Sequence, residues 1–313
     1  MYKILKKQKI GKNIYEMQID APHIVKYAKP GNFIILRKDD NGERIPFTIA
    51  DLDKTTITII FNVVGKTTAD LAKLKKGNML KDAVGPLGNP AEIGEFGSVC
   101  LIAGGTGCAA SYILTKALKK KGNRITNIIG AKTKNHLIWE DKFKQISNTM
   151  IICTDDGSKG MKGTVTEALE KLIRNKYFNR VITIGPPAMM KEVARLTYQR
   201  CKTVAHLSPI MIDGIGICGG CRIKVAGKTK LVCIDGPEFD AHEIDFDVLQ
   251  NRNTRFREEE KDSHHKSHGS CIKNAAKRMK AQETRKPQKA AKTKVIKKDA
   301  KKKKPIAKTR KTR

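Results

Sequence analysis

Residues 99–121, VCLIAGGTGCAASYILTKALKKK, change the grammar of the chain. Val99–Ala103 is a short apolar run of strand length, Gly104-Gly105-Thr106-Gly107 is a turn, and apolar side chains then recur at helical spacing from Ala109 to Lys121. The same strand-then-helix alternation continues downstream. Thr126–Gly130, Met150–Cys153 and Arg180–Ile184 read as strands, and 166–173 and 188–199 as helices. Thr164 and Glu167 have the spacing of a capping box opening the first of those helices. Strands alternating with helices imply a parallel sheet wound by crossovers, with ligands bound outside the carboxyl ends of the strands. Three loops fall there: Gly104–Gly107, Thr154-Asp155-Asp156-Gly157-Ser158 and Gly185-Pro186-Pro187. The first is not the GxGxxG fingerprint, but it lets a diphosphate approach the backbone and meet a helix N-terminus. Asp155 and Asp156 suit ribose hydroxyls, or equally turn and capping hydrogen bonds of their own loop.

Upstream of about Leu80 the text is short alternations broken by Gly, Pro, Asp and Asn. Ile14–Ile19, Phe33–Leu36, Phe47–Ile49 and Thr56–Phe61 read as the strands of an antiparallel β-barrel. The barrel carries Arg44-Ile45-Pro46-Phe47-Thr48 and Gly65-Lys66-Thr67-Thr68. An Arg with a hydroxyl four residues on offers charge-assisted and neutral donors to a phosphate or a flavin edge, although an Arg on a barrel strand is commonly just solvated. The fold class is therefore a β-barrel plus an α/β domain, followed by a small hairpin and a basic tail. The expected segments are 1–94, 95–208, 209–260 and 261–313.

The hairpin segment contains MIDGIGICGGCRIKVAGKTKLVCID at 211–235. Asp213, Cys218, Cys221 and Cys233 reproduce the ligand spacing of a plant-type [2Fe–2S] site, with a carboxylate in place of the first thiolate. Glycines 214, 216, 219 and 220 let a loop wrap closely around such a centre and aim N–H groups at it. A structural zinc, or reduced thiols with no metal, would use the same residues. Ile223 and Val225, a turn at Ala226-Gly227-Lys228, and Leu231-Val232-Cys233 read as a β-hairpin carrying both ends of the ligand set.

Length sets about two domains for 313 residues. The eight cysteines are scattered through apolar runs rather than arranged as a small secreted framework, which points to a reducing compartment. The opening MYKILKKQKIGKNIYEMQI reads as strand, turn, strand, with no apolar stretch for a signal peptide or membrane span, so a cytoplasmic protein is expected. Net charge is +32, and the last 41 residues hold 19 Lys and Arg against Glu283 and Asp299, more than half of the excess. That run has no aromatic residue and few large apolar ones, which implies a disordered tail. It is a solvated appendage or a weak, nonspecific polyanion contact.

Taken in order, these motifs resemble the ferredoxin-NADP⁺ reductase superfamily, in particular the branch containing the electron-transfer subunit of dihydroorotate dehydrogenase, over residues 1 to about 260. The resemblance implies that Arg44, Pro46, Phe47 and Thr48 bind FAD, with Gly65, Thr67 and Thr68 near its diphosphate. It implies that Gly104, Gly105, Thr106, Gly107, Gly185 and Pro186 line NAD(H) or NADP(H), and that Asp213, Cys218, Cys221 and Cys233 hold a [2Fe–2S] cluster. The implied activity is an electron relay between pyridine nucleotide, FAD, the cluster and a larger iron–sulfur flavoprotein subunit, requiring no catalytic acid or base. The chain departs from the branch at Cys108-Ala109-Ala110, where relatives carry a proline, and at Asp213, where the dihydroorotate subunit carries Cys. Other classes open at this point are the dihydroorotate subunit itself and a polyanion-binding protein acting through its tail.

Overall fold

The N-terminal strands are short runs rich in β-branched and aromatic residues; Phe33–Leu36 and Ile57–Phe61 are buried throughout, whereas most of the others mix buried with half-buried or exposed positions. In order they are β1 (Tyr2–Gly11), β2 (Ile14–Asp20), β3 (Phe33–Arg37), β4 (Arg44–Thr48), β5 (Asp51–Leu52), β6 (Thr56–Asn62), β7 (Met79–Leu80) and β8 (Asp82–Leu87), with helices α1 (Pro22–Tyr27) and α2 (Lys66–Lys73) between them. They make two antiparallel sheets, ordered β5-β6-β2-β1-β7 and β4-β3-β8. The computed structural model describes residues 1–256, 258 and 259, and the Lys/Arg-rich run read as a disordered tail lies outside them.

The second half is the expected wound sheet. Its elements are β9 (Ser98–Gly104), α3 (Gly107–Lys120), β10 (Arg124–Ala131), α4 (Glu140–Ile146), β11 (Thr149–Thr154), β12 (Met161–Lys162), α5 (Val165–Ile173), β13 (Arg180–Ile184), α6 (Pro187–Thr197) and β14 (Lys202–His206). Strand order is β12-β11-β10-β9-β13-β14-β17, parallel up to β14, with β17 (Glu238–Asp240) antiparallel at the edge. β9 shows why both faces are covered. Val99 and Leu101 pack with Leu114 and Leu118 of α3, whereas Cys100 and Ile102 pack with Leu169 of α5 and Val193 of α6. The chain runs outward from β9 through β10 and β11, then returns to β13 on the other side of β9. That reversal is the crevice where such sheets bind ligands. Thr164 accepts from Glu167 N at 3.3 Å while Thr164 N donates to Glu167 at 3.4 Å, so the capping box opens α5 as its spacing implies.

One apolar core joins the halves: Met17, Ile19 and Ile59 of the antiparallel sheets share it with Leu101, Leu114 and Ile182. Buried Glu16 adds a polar pin, accepting from Trp139 Nε1 at 2.7 Å and from Gln8 Nε2 at 3.1 Å.

Residues 207–237 leave the sheet between β14 and β17 and carry the hairpin β15 (Arg222–Val225) and β16 (Lys228–Leu231), then α7 (Val232–Asp235); α8 (Phe246–Arg252) follows β17. Ala226 and Gly227 both lie at positive φ, 48° and 73°, matching the strand twist across a two-residue turn. The expected strand at Leu231–Cys233 is corrected: Asp235 accepts from Leu231 N at 2.7 Å and turns the chain into α7, which carries Cys233. Among the described residues no helix is long and apolar enough to cross a membrane.

Candidate functional site

The carboxyl ends of β9, β10 and β13 and the facing strands of the N-terminal half enclose a cleft of about 930 Å³. This is at the upper end of ordinary ligand sites, which run from roughly 300 to 1,000 Å³. One side is lined by Ile45, Pro46, Phe47, Thr48, Phe61, Asn62 and Thr68, and the other by Gly104–Gly107, Asp155, Gly185 and Pro186. Gly105, at φ +58°, donates from N to Gly130 O at 2.9 Å and turns β9 into α3, whose first turn has no capping side chain. A Cβ at Gly107 would lie 2.5 Å from the Ile184 carbonyl oxygen, so only glycine lets the helix start this close to β13. The result is a backbone cradle suited to a diphosphate.

Four of the sequence-derived cofactor residues lie outside the lining. Arg44 is exposed at the start of β4. Gly65 N donates to the Thr68 hydroxyl at 3.1 Å, because these residues open α2, and the Thr67 hydroxyl donates to Glu43. Asp156 accepts from Ser158 N at 2.9 Å, a hydrogen bond within its own turn; the Ser158 side chain first, then this N–H, hold its carboxyl below the usual range. The lining adds Lys132, which from sequence suits a nucleotide 2′-phosphate or plain solvent, and His136, His206 and Ser208, which no motif announced. Their signal is positional, each lying at or shortly after the carboxyl end of a strand, and β14 is too short and mixed to stand out in sequence.

His206 and Ser208 lead out of the cleft directly into the loop that carries the candidate metal donors. There, Gly214, Gly216 and Gly219 take φ of +73°, +87° and +60°, a tight path that side chains resist. Asp213 accepts from Ile215 N at 2.9 Å and from Cys218 N; burial raises its carboxyl, but these N–H donors outweigh it and hold it below the usual range. Cys221 and Cys233 are buried with sulfurs 3.3 Å apart, and Gly220 N donates to the Cys218 sulfur at 3.3 Å. Among the described residues no three His, Cys, Asp or Glu side chains are grouped to hold a single metal ion. Asp213 is tied to Cys218 through the Cys218 N–H, and Cys221 and Cys233 lie sulfur to sulfur, so the four residues fall into two neighbouring groups. A structural zinc wants one tetrahedral set, whereas a two-iron cluster takes two donors on each iron, so the donors present fit a binuclear centre.

A ferredoxin reductase-like oxidoreductase is the class that this fold and cleft define. Family models match over residues 101–195, as an oxidoreductase NAD-binding domain, and over 208–245, as the iron–sulfur cluster binding domain of dihydroorotate dehydrogenase B. A dihydroorotate dehydrogenase B (NAD⁺) electron transfer subunit homologue of Thermotoga maritima is 45% identical over 264 residues, covering 83% of this chain and 93% of its own length. The electron transfer subunit of Fusobacterium nucleatum is 32% identical over 250 residues, 76% and 95% of the two chains. A solved structure described as NADH-dependent reduced ferredoxin-NADP oxidoreductase, in work on flavin-based electron bifurcation, superposes with a TM-score of 0.81 at 43% identity, covering 85% of this chain and 97% of that one. The chain belongs to the family of dihydroorotate dehydrogenase B electron-transfer subunits and their homologues. It is an electron-transfer subunit of an oxidoreductase, with NAD(H), FAD and an iron–sulfur cluster as its cofactors.

Proposed function

We propose that this chain is the cytoplasmic small subunit of a ferredoxin:NAD(P) oxidoreductase-type complex, passing electrons between a pyridine nucleotide and a larger iron–sulfur flavoprotein subunit. The observation that carries this reading is continuity: β14 borders the cleft through His206, and the same segment continues through Ser208 to Asp213, the first donor of the ligand loop. Pro46, Phe47, Thr48 and Thr68 hold the FAD side of the cleft, with Arg44, Gly65 and Thr67 at its outer edge. Gly104–Gly107, Gly185 and Pro186 cradle the nucleotide, with Asp155 and Asp156 toward its ribose. Asp213, Cys218, Cys221 and Cys233 are the ligands of a [2Fe–2S] cluster. When bound, FAD supplies the exchange between two-electron and one-electron transfer; the protein binds, orients and excludes water. Exposed Ile212, Ile215, Ile217 and Ile234 surround the ligand loop, and Ile217 is 80% exposed, an apolar patch that suits the partner subunit.

A second partner assignment, the dihydroorotate-oxidising subunit, is favoured by the names of the relatives and opposed by Asp213. The large subunit that co-purifies decides between them. The basic run is an accessory: removing residues 273–313 is expected to abolish retention on a polyanion while leaving flavin reduction unchanged.

The central test is anaerobic ultraviolet-visible and electron paramagnetic resonance spectroscopy, with flavin, iron and sulfide quantified before and after NADH. About one flavin, two irons and two sulfides per chain, bleached by NADH, is expected. A colourless protein that resists reconstitution, or one holding zinc, overturns the reading.

A further inference from the structure

Arg222 of the hairpin meets Arg252 and Arg255, at and just beyond the end of α8, on the ligand loop. Arg252 Nη2 donates to Gly219 O at 3.3 Å and to Gly220 O at 3.2 Å, and Arg255 Nη2 donates to Gly220 O at 2.8 Å. Both guanidiniums thus grip the two residues between Cys218 and Cys221. Arg222 folds back from β15 over the same turn, its Nη1 3.4 Å from where a Gly219 Cβ would stand. Arg255 Nε also donates to Arg252 O at 3.1 Å, and Phe246 and Leu249 anchor α8 in the core that contains Cys221 and Cys233.

As a purely structural clamp this arrangement is expensive. The Arg252 Nε is buried without a hydrogen-bond partner. Burial, then the charges of Arg255 and Arg222, lower its tendency to stay protonated, and the one opposing influence is Cys221. Among the described residues none of the three forms an ion pair with Asp or Glu. Three like charges gathered without an acid are unfavourable unless anionic charge joins them. The loop they grip carries Asp213, Cys218 and Cys221, a carboxylate and thiols that bind metal as thiolates, and this is where such charge would arise.

We propose that Arg222, Arg252 and Arg255 form a cationic collar that raises the reduction potential of the centre held by Asp213, Cys218, Cys221 and Cys233. This rests on the cluster assignment of the preceding section. Reduction adds one negative charge to an already anionic centre, so fixed positive charge beside it favours the reduced form, and net charge and hydrogen bonding are the levers that set such potentials. The arginines are positioning residues; none is needed as a ligand.

The test compares charge with geometry in the full chain. Redox titrations followed by electron paramagnetic resonance are run on the wild type, on an R252Q/R255Q double variant and on an R252K/R255K double variant, with iron and sulfide measured in each. The Gln pair removes the charge, while the Lys pair keeps it but loses the fork geometry of the guanidinium. The expected result is a midpoint shifted to more negative values in the Gln pair and close to wild type in the Lys pair. Equal shifts in both pairs, or none in either, overturn the collar. Should the Gln pair lose its cluster, the exposed single variant R255Q carries the same expectation with a smaller shift, and an unchanged midpoint there overturns it. A wild type that assembles no cluster instead overturns the assignment beneath the inference.

Discussion

Three buried cysteines of the wound sheet and its helices contrast with the three of the ligand loop in what lies beside them. In the sheet, Cys100, Cys108 and Cys153 are buried among aliphatic side chains. Burial pushes Cys108 up to about 12 and Cys153 up to about 11, and moves Cys100 further in the same direction. These thiols stay protonated and act as small apolar fillers. In the loop, Cys218 is exposed, and Cys233 is pushed up to about 12 by burial and then by adjacent Cys221. Burial alone does not separate filler from ligand. A second anionic donor within reach does, because two such groups repel unless a cation lies between them.

The largest expected effect breaks that contrast directly. Cys221→Ser should erase the cluster resonance while FAD remains bound, whereas Cys153→Ser should keep both signals and cost about 1–3 kcal/mol for a buried hydroxyl. Loss of the resonance in Cys153→Ser would collapse the distinction. Next, Gly107→Ala tests the sheet's cradle: its methyl meets the Ile184 carbonyl, so a loss of about 1–3 kcal/mol in unfolding free energy and weaker nucleotide binding by titration are expected, with the cluster unchanged. Thr164→Ala removes the α5 cap and should lower stability by about 1 kcal/mol in chemical denaturation, again sparing the cluster.

The smallest effect concerns pH. Hydrogen bonds from Lys144 and then Lys159 hold the Glu140 carboxyl below its ordinary value. A depressed carboxyl contributes stability above its unfolded value of about 4.3, and that contribution disappears as pH falls through the folded value. Glu140→Gln should therefore cost about 0.5 kcal/mol near neutrality and flatten the acid limb of a stability profile, with no difference left in strong acid.

Much of this was legible because burial on both faces writes itself into a strand as an unbroken apolar run. Arg180–Ile184 reads the same in sequence and structure, and β9 to β11 differ only at their ends. The turn at Ala226-Gly227 was equally plain. Short elements were not legible: α1, α4 and β14 are too brief for periodicity, so His206 had no visible place in the cleft. Gly65–Thr68 suggested phosphate donors; that they open α2, with the Thr68 hydroxyl accepting from Gly65 N while Thr68 still lines the cleft, was not visible in sequence. The arginine collar obeys no spacing rule, since it is assembled by the return of α8 onto the loop after β14.

The edge strand β17 has one further consequence. His206 stands opposite Glu238, and Leu207 N donates to Pro237 O at 2.9 Å, so the segment between them leaves and rejoins the sheet at a single neck. Topologically it is a hairpin whose tip has grown into a redox module. Loop closure depends only weakly on the length enclosed, so such a tip can be lengthened, shortened or exchanged while its two stems stay paired. A segment exchanged at residues 207 and 237 would keep the strands of the nucleotide-binding sheet in register, and would have to rebuild the core that Cys221, Ile223, Val232 and Cys233 share with Phe33, Ile35 and Met190.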